Sequence, residues 1–182
     1  YDFQHSIFSA KAMVDINYQD IIKAHSELSI LSAPDGWHFK IGDAGTPSTW
    51  TSIEMMKIFK GSFYMNVGNK DMSYSPRMEE LMSKIFPGGN TESPSGLFFG
   101  ADQKLIDIDL RFLIFYLKLT AGFNFDVALL NTRGSKIECD GRDNIGLDGY
   151  YAMGRAEAYV TGEFGLFVDV WFFEGKVSAG KL

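Results

Sequence analysis

Between Ala156 and Val170 apolar and polar side chains change places at almost every step: Ala156, Ala158, Val160, Phe164, Leu166, Val168 and Val170 stand against Glu157, Thr161, Glu163 and Asp169. Successive side chains of a β-strand point to opposite sides of the sheet, so a two-residue repeat marks a strand with one apolar face. The repeat pervades the chain. In AKAMVDINY, Ala10, Ala12, Val14, Ile16 and Tyr18 oppose Lys11, Asp15 and Asn17; in IIKAHSELSIL, Ile22, Ala24, Leu28 and Ile30 oppose Lys23, His25, Glu27 and Ser29. With Gln19 and Asp20 between them these runs predict a hairpin, a helix over 20–31 being the rival for the second. WHFKI, WTSIEMM and KIFKGSFYMNVG predict further strands. In LIDIDLRF the apolar set is Ile106, Ile108, Leu110 and Phe112, and from Phe115 to Val127 it moves to odd positions, which predicts a bulge or turn in FLIFY.

The final run of about 17 residues would extend roughly 55 Å at strand rise, well beyond the usual strand of about 5 to 6 residues. Either Gly162 and Gly165 bend it into two strands, or it is a long ribbon that needs partners on its edges. One helix is predicted, over 75–86. Ser75 caps it, Pro76 takes the first helical position, Glu79 and Glu80 lie early in it, and Pro87-Gly88-Gly89 ends it. Met78, Leu81, Met82 and Ile85 form the stripe that packs on a sheet. Residues 87–103 read as a loop. The expected fold class is therefore mainly β (α+β): an antiparallel sheet or sandwich of long strands with one packed amphipathic helix. An aromatic content of 15% suits strands, and 46% hydrophobic with 22% charged residues is ordinary for a globular chain. Residues 1–182 are expected to form a single module, and the start at Tyr1 and the end at GKVSAGKL suggest a segment of a larger protein.

A formal charge of −6 with no basic stripe speaks against nucleic acid as a partner. The most apolar stretch, LRFLIFYLKLTAGF, is interrupted by Arg111 and Lys118 and is short of a membrane helix. His5, His25 and His38 have no metal-ligand spacing, and no nucleophile elbow, dinucleotide fingerprint or Walker lysine occurs, so no enzyme is expected. His38 reads as a surface residue. Asp107 and Asp109 share a strand face with Arg111 and read as an ionic row rather than a catalytic pair. The stretch ECDGRDNIGLDGYY, 138–151, approaches a calcium loop but puts Arg155 where a bidentate glutamate belongs. It reads as a turn, with Asp140, Asp143 and Asp148 as candidate ligands for calcium and no cofactor otherwise. Cys139, the lone cysteine, reads as a small buried hydrophobe unless it pairs outside the segment. Trp37, Trp50, Tyr150 and Tyr151 are candidate contacts for carbohydrate or protein.

At GWHFKIG, GFNFDVALL and GLDGYYAMGRAEAYVTGEFG, within residues 36–174, the chain resembles segments of very large bacterial surface proteins exported by type IX secretion. The resemblance implies an extracellular or cell-surface location and a structural or adhesive role, and carries no residue assignments. The expected function is a module whose strand edges and aromatic faces pair with identical chains, or with neighbouring modules of the same polypeptide, in a fibre or ring. Two alternatives stand beside it: a carbohydrate- or protein-binding β module, and part of an outer-membrane β-barrel. The well-capped helix and the mild faces of the first hairpin count against membrane contact. A barrel would require one face of every strand to be uniformly compatible with lipid.

Overall fold

The computed structural model describes residues 6–19, 21–56, 58–85, 94–112, 115–131, 150–170 and 173–181, with side chains described as far as Gly165 apart from Ile85 and Tyr150. Among these residues the chain forms β1 (Phe8–Tyr18), β2 (Ile22–Ala33), β3 (Gly36–Ile41), β4 (Thr51–Met55), β5 (Phe59–Gly68), α1 (Pro76–Ile85), β6 (Gly96–Phe112), β7 (Phe115–Asn131), β8 (Tyr150–Val170) and β9 (Phe173–Lys181). The strands join in one antiparallel meander, ordered β1-β2-β3-β5-β6-β7-β8-β9, with β4 paired to β2 and β5. The architecture is mainly β with one short helix. β1 and β2 pair without a break from Phe8↔Ser32 to Tyr18↔Ile22, so from Ile22 on the run is strand rather than the rival helix. The parity switch after Phe112 falls at the junction of β6 and β7, where Phe112 pairs with Phe115. β8 runs straight through Gly162 as one strand, and its register with β9 shifts between Glu163 and Gly165.

The predicted loop 87–103 is corrected at its C-terminal end. From Gly96 the chain is already in β6, because LFFGADQ alternates: Leu97, Phe99 and Ala101 fall on one face, and Phe98, Gly100 and Asp102 on the other. Residues 86–93 lie outside the described part.

β3 and β4 occupy one strand position between β2 and β5. Ile41 pairs with Leu28 and Met65, while Thr51 pairs with Phe63 and Ser52 with His25. Residues 42–50 therefore leave the sheet opposite Tyr64 and return to the same position. Gly42 makes the exit with φ +65, a left-handed conformation natural to glycine, while its N–H still bonds Glu27 O at 2.7 Å. Inside the excursion Asp43 Oδ1 accepts from Gly45 N, Thr49 Oγ1 accepts from Asp43 N, and Trp50 Nε1 donates to Asp43 O. A short 3-10 turn over Pro47–Thr49 brings the chain back.

The register divides the side chains into two chemically different faces. On the first lie Val14, Ile16, Leu28, Phe39, Ile53, Phe63, Val67, Phe99, Leu110, Phe123, Val127 and Val160 and their row neighbours. Its polar members, such as Ser26, Thr51 and Gln103, are neutral, and no described Asp, Glu, Lys or Arg falls on it. On the second lie all the described charges of the strands. This polar face carries the 42–50 excursion, the segment 69–75 and α1, and the core forms beneath them: Trp50, Met72 and Met78 from the cover meet Tyr64, Phe98, Ala128, Leu130 and Met153 of the sheet. His38 is corrected from surface to buried, 7% exposed. It points to the covered face and hydrogen-bonds Ser29 Oγ at 3.0 Å and Lys70 O at 3.1 Å.

A Cβ on Gly42 would stand 2.7 Å from Trp50 Cα. Gly42→Ala is expected to lower the unfolding free energy by about 1–3 kcal/mol, read as a lower denaturant midpoint.

Candidate functional site

The cover is fastened to the sheet by charge. Asp126, on the polar face of β7, is fully buried. Its Oδ1 accepts from Tyr64 Oη and Ser75 Oγ, each at 2.8 Å, and its Oδ2 accepts from Arg77 Nε at 2.7 Å. Three donors from β5, the helix cap and the helix thus converge on one carboxylate, as a buried charge requires. Ser75 has a double role, since its Oγ also accepts from Met78 N at 3.1 Å and so caps α1. Arg77 bridges onward, its Nη1 donating to Asp102 Oδ2 at 2.8 Å and its guanidinium lying 5.4 Å from the centre of the Trp50 ring. Burial opposes the guanidinium's charge, but the carboxylates of Asp126 and Asp102 outweigh it and push its pKa up. Burial, reinforced by the negative charge of Asp126, pushes the Tyr64 hydroxyl well above its ordinary value. Gly100 faces this cluster because nothing larger fits: a Cβ there would lie 2.5 Å from Tyr64 Cε1 and 2.6 Å from Asp126 Oδ1.

A second fastening holds the excursion. Lys40, 7% exposed, donates to Asp43 Oδ2 at 2.7 Å and to the carbonyl of Asp71. Ser73 Oγ donates to Asp43 Oδ1 at 2.7 Å. Burial raises the Asp43 carboxyl, but the hydrogen bonds from Lys40, Ser73 and Gly45 outweigh it and hold it below the usual carboxylate range. Asn66, fully buried beneath the excursion, satisfies its amide by donating to Gly42 O at 2.6 Å and accepting from Ala44 N at 2.9 Å.

Beside the cover a cleft of about 800 Å³ opens on the polar face, lined by His25, Ser52, Lys60, Ser62, Arg77 and Lys104 among others. Two rows of cross-strand partners form its floor: His25, Ser52, Ser62 and Asp102 in one, and Lys23, Glu54, Lys60 and Lys104 in the next. At its edge Asp15 accepts from His25 Nδ1 at 2.6 Å. The lining mixes side chains of both signs of charge with apolar ones, among them Pro47, Ile53 and Pro76.

The aromatic candidates do not converge. Trp37 projects from the uncharged face, 47% exposed, whereas Trp50 is buried at 5%, 4.8 Å from the Tyr64 ring, and serves as core. Tyr151 is half-buried against that core, and Tyr150 opens β8. Asp107 and Asp109 form the expected ionic row: Asp107 lies 3.4 Å from Lys60, and Asp109 lies 3.6 Å from Arg111 and 3.8 Å from Lys118. Asp140, Asp143, Asp148 and Cys139 lie outside the described residues, among which no group of three potential metal ligands converges. Asp126 and Arg77 escaped sequence reasoning. The one available signal was a carboxylate inside FNFDVALL, where the polar face is turning to Ala128 and Leu130.

Compared with protein-family models, with curated proteins and with solved structures, the chain matches none.

Two outcomes are expected here. Asp126→Asn keeps the shape but turns an amide toward the donors of Tyr64 and Ser75 and strips Arg77 of one counter-charge. It should lower the unfolding free energy by about 3–5 kcal/mol in denaturant titrations. Because the folded pKa of Asp43 is depressed, its stabilisation is complete above the ordinary carboxylate value of 3.8 and is lost as pH falls through the lower folded value. Asp43→Asn should therefore lower stability at neutral pH and flatten the dependence of the unfolding midpoint on pH below about 4.

Proposed function

We propose that the sheet is a wall segment of a transmembrane β-barrel of the outer-membrane type, its uncharged face toward lipid and its polar face toward a lumen partly filled by the 42–50 excursion and α1. The observation that carries this reading is the absence of any described Asp, Glu, Lys or Arg on one face from β1 to β8, although that face is open. Val14 is 54%, Leu110 58%, Phe115 57% and Val160 68% exposed. Soluble proteins seldom leave more than a few hundred Å² of contiguous apolar surface uncovered, whereas a lipid-facing wall excludes charge because Arg or Lys at mid-bilayer costs about 2–4 kcal/mol.

Dimensions support it. β1, β2 and β5 have 11, 12 and 10 residues, close to the roughly 9–11 that a tilted strand needs to cross the hydrocarbon. Tyr18 and Trp37 stand at opposite ends of the apolar band, as amphipathic aromatics do at the two membrane interfaces. Between the level of Phe8, beside Trp37, and that of Tyr18 the strand runs roughly 33 Å, which at a tilt of about 40° gives a band some 25 Å tall. Irregular backbone and a helix are tolerated at membrane depth where they line a lumen, and both lie on the polar face. No described helix is long and apolar enough to cross a membrane, so the crossing rests on strands. An extracellular structural module remains the rival, and there a second protein sheet would cover the same face.

Lipids carrying bromine on their acyl chains separate the two. In a Trp171→Phe background, reconstituted into such vesicles, Trp37 should be strongly quenched and Trp50 untouched, and adding Trp37→Phe should remove the quenched component. Protein that stays in the aqueous phase, or Trp37 emission quenched by aqueous acrylamide but not by the brominated chains, would sink the barrel.

A further inference from the structure

We infer that the cleft on the polar face is a binding site for a phosphate-type oxyanion, free or on an organic ester, held by Lys60, Lys104 and the unpartnered Nη2 of Arg77. Lys60 and Lys104 are direct cross-strand partners on β5 and β6, and both line the cleft. Residues so paired on one face have Cβ atoms about 4.5–5.5 Å apart, and like charges there repel. Their surroundings differ. Lys60 is shared between Glu54 at 3.8 Å and Asp107 at 3.4 Å, whereas Lys104 has no ion pair among the described residues. On its other side Lys104 faces Gly122, which offers no side chain.

Arg77 supplies the third donor. Its Nε is committed to Asp126 and its Nη1 to Asp102, but Nη2 is buried with no acceptor, and a buried charged donor without a partner is costly. Ser62, between Lys60 and Tyr64 on the same face of β5, adds a hydroxyl to the cleft. Of the carboxylates around the cleft, Glu54 stays beside Lys60, while the others nearest the proposed donors have partners of their own. Asp126 is closed off by its three donors, Asp102 is engaged by Arg77, with Tyr159 Oη 3.4 Å away, and Asp15 is engaged by His25. Two ammonium groups and one guanidinium N–H lining one cleft suit an oxyanion with at least three acceptor oxygens better than a carboxylate with two. The inference rests on the cleft alone and not on the lipid contact of the opposite face.

The test is thermal unfolding and calorimetric titration of the intact protein with inorganic phosphate, against acetate and chloride at matched ionic strength. Phosphate should bind saturably and raise the unfolding temperature, acetate more weakly, chloride not at all. Lys104→Met should weaken phosphate binding at least about fivefold and, by removing the like-charge contact, raise the unfolding temperature in phosphate-free buffer. Lys60→Met should also weaken binding, and Lys104→Arg should retain it. Absence of saturable binding, or a Lys104→Met protein that responds to phosphate as the parent does, would overturn the assignment. Neither result bears on the quenching of Trp37, so the two proposals fail separately.

Discussion

Asp126 has no water to turn to, and much of the molecule is arranged around that fact. A carboxylate buried beside the core is costly unless donors meet it. The donors come from three places in the chain: Tyr64 from the centre of the sheet, Ser75 from the cap of α1, and Arg77 from the helix's first turn. α1 is only 10 residues long, too short to be stable alone in water. Its position follows from this carboxylate together with the burial of Met78. Gly100 and the tilted Trp50–Tyr64 contact are consequences, since each makes room for, or closes over, the same cluster.

The sheet beneath obeys a different constraint. Strict alternation over many strands produces two faces that need two different environments, and both are large. The polar face has its own cover, joined by ion pairs and a small apolar core. The uncharged face has none among the described residues, and in the proposed barrel it is lipid that its composition and the placing of Tyr18 and Trp37 would meet. One of the two arguments raised by the sequence against a membrane, the well-capped helix, loses its force once α1 is found on the polar face, which in the proposed barrel would not touch lipid.

Periodicity made most of the sheet legible beforehand. β1, β2, β5, β7 and the long β8 were readable because each alternates over many residues, and α1 because Ser75, Pro76 and the Met78–Leu81–Met82 stripe agree with one another. The start of β6 was missed because Gly96 and Gly100 resemble loop residues, although their role is to let backbone and side chains approach closely. His38 was misplaced because alternation tells which residues share a face but not which face is covered. The hub at Asp126 was illegible for the same reason: its partners lie 49 to 62 residues away in sequence, and only the meander brings them together. The mild character of the first hairpin, with its alanines, had masked what matters about its outward face, which is the absence of charge rather than the strength of hydrophobicity.

β3 and β4 share one strand position, and the cover begins and ends inside it. A plug attached by a flexible tether can swing out while its wall stands still. This one cannot. Residues 42–50 are spliced into the sheet at both ends, through the pairings of Ile41 and Thr51, so any displacement pulls directly on hydrogen bonds to β2 and β5. In the proposed barrel, traffic past the cover would either follow the cleft beside it or be coupled to a local parting of the wall, which would make the obstruction and the sheet a single mechanical element.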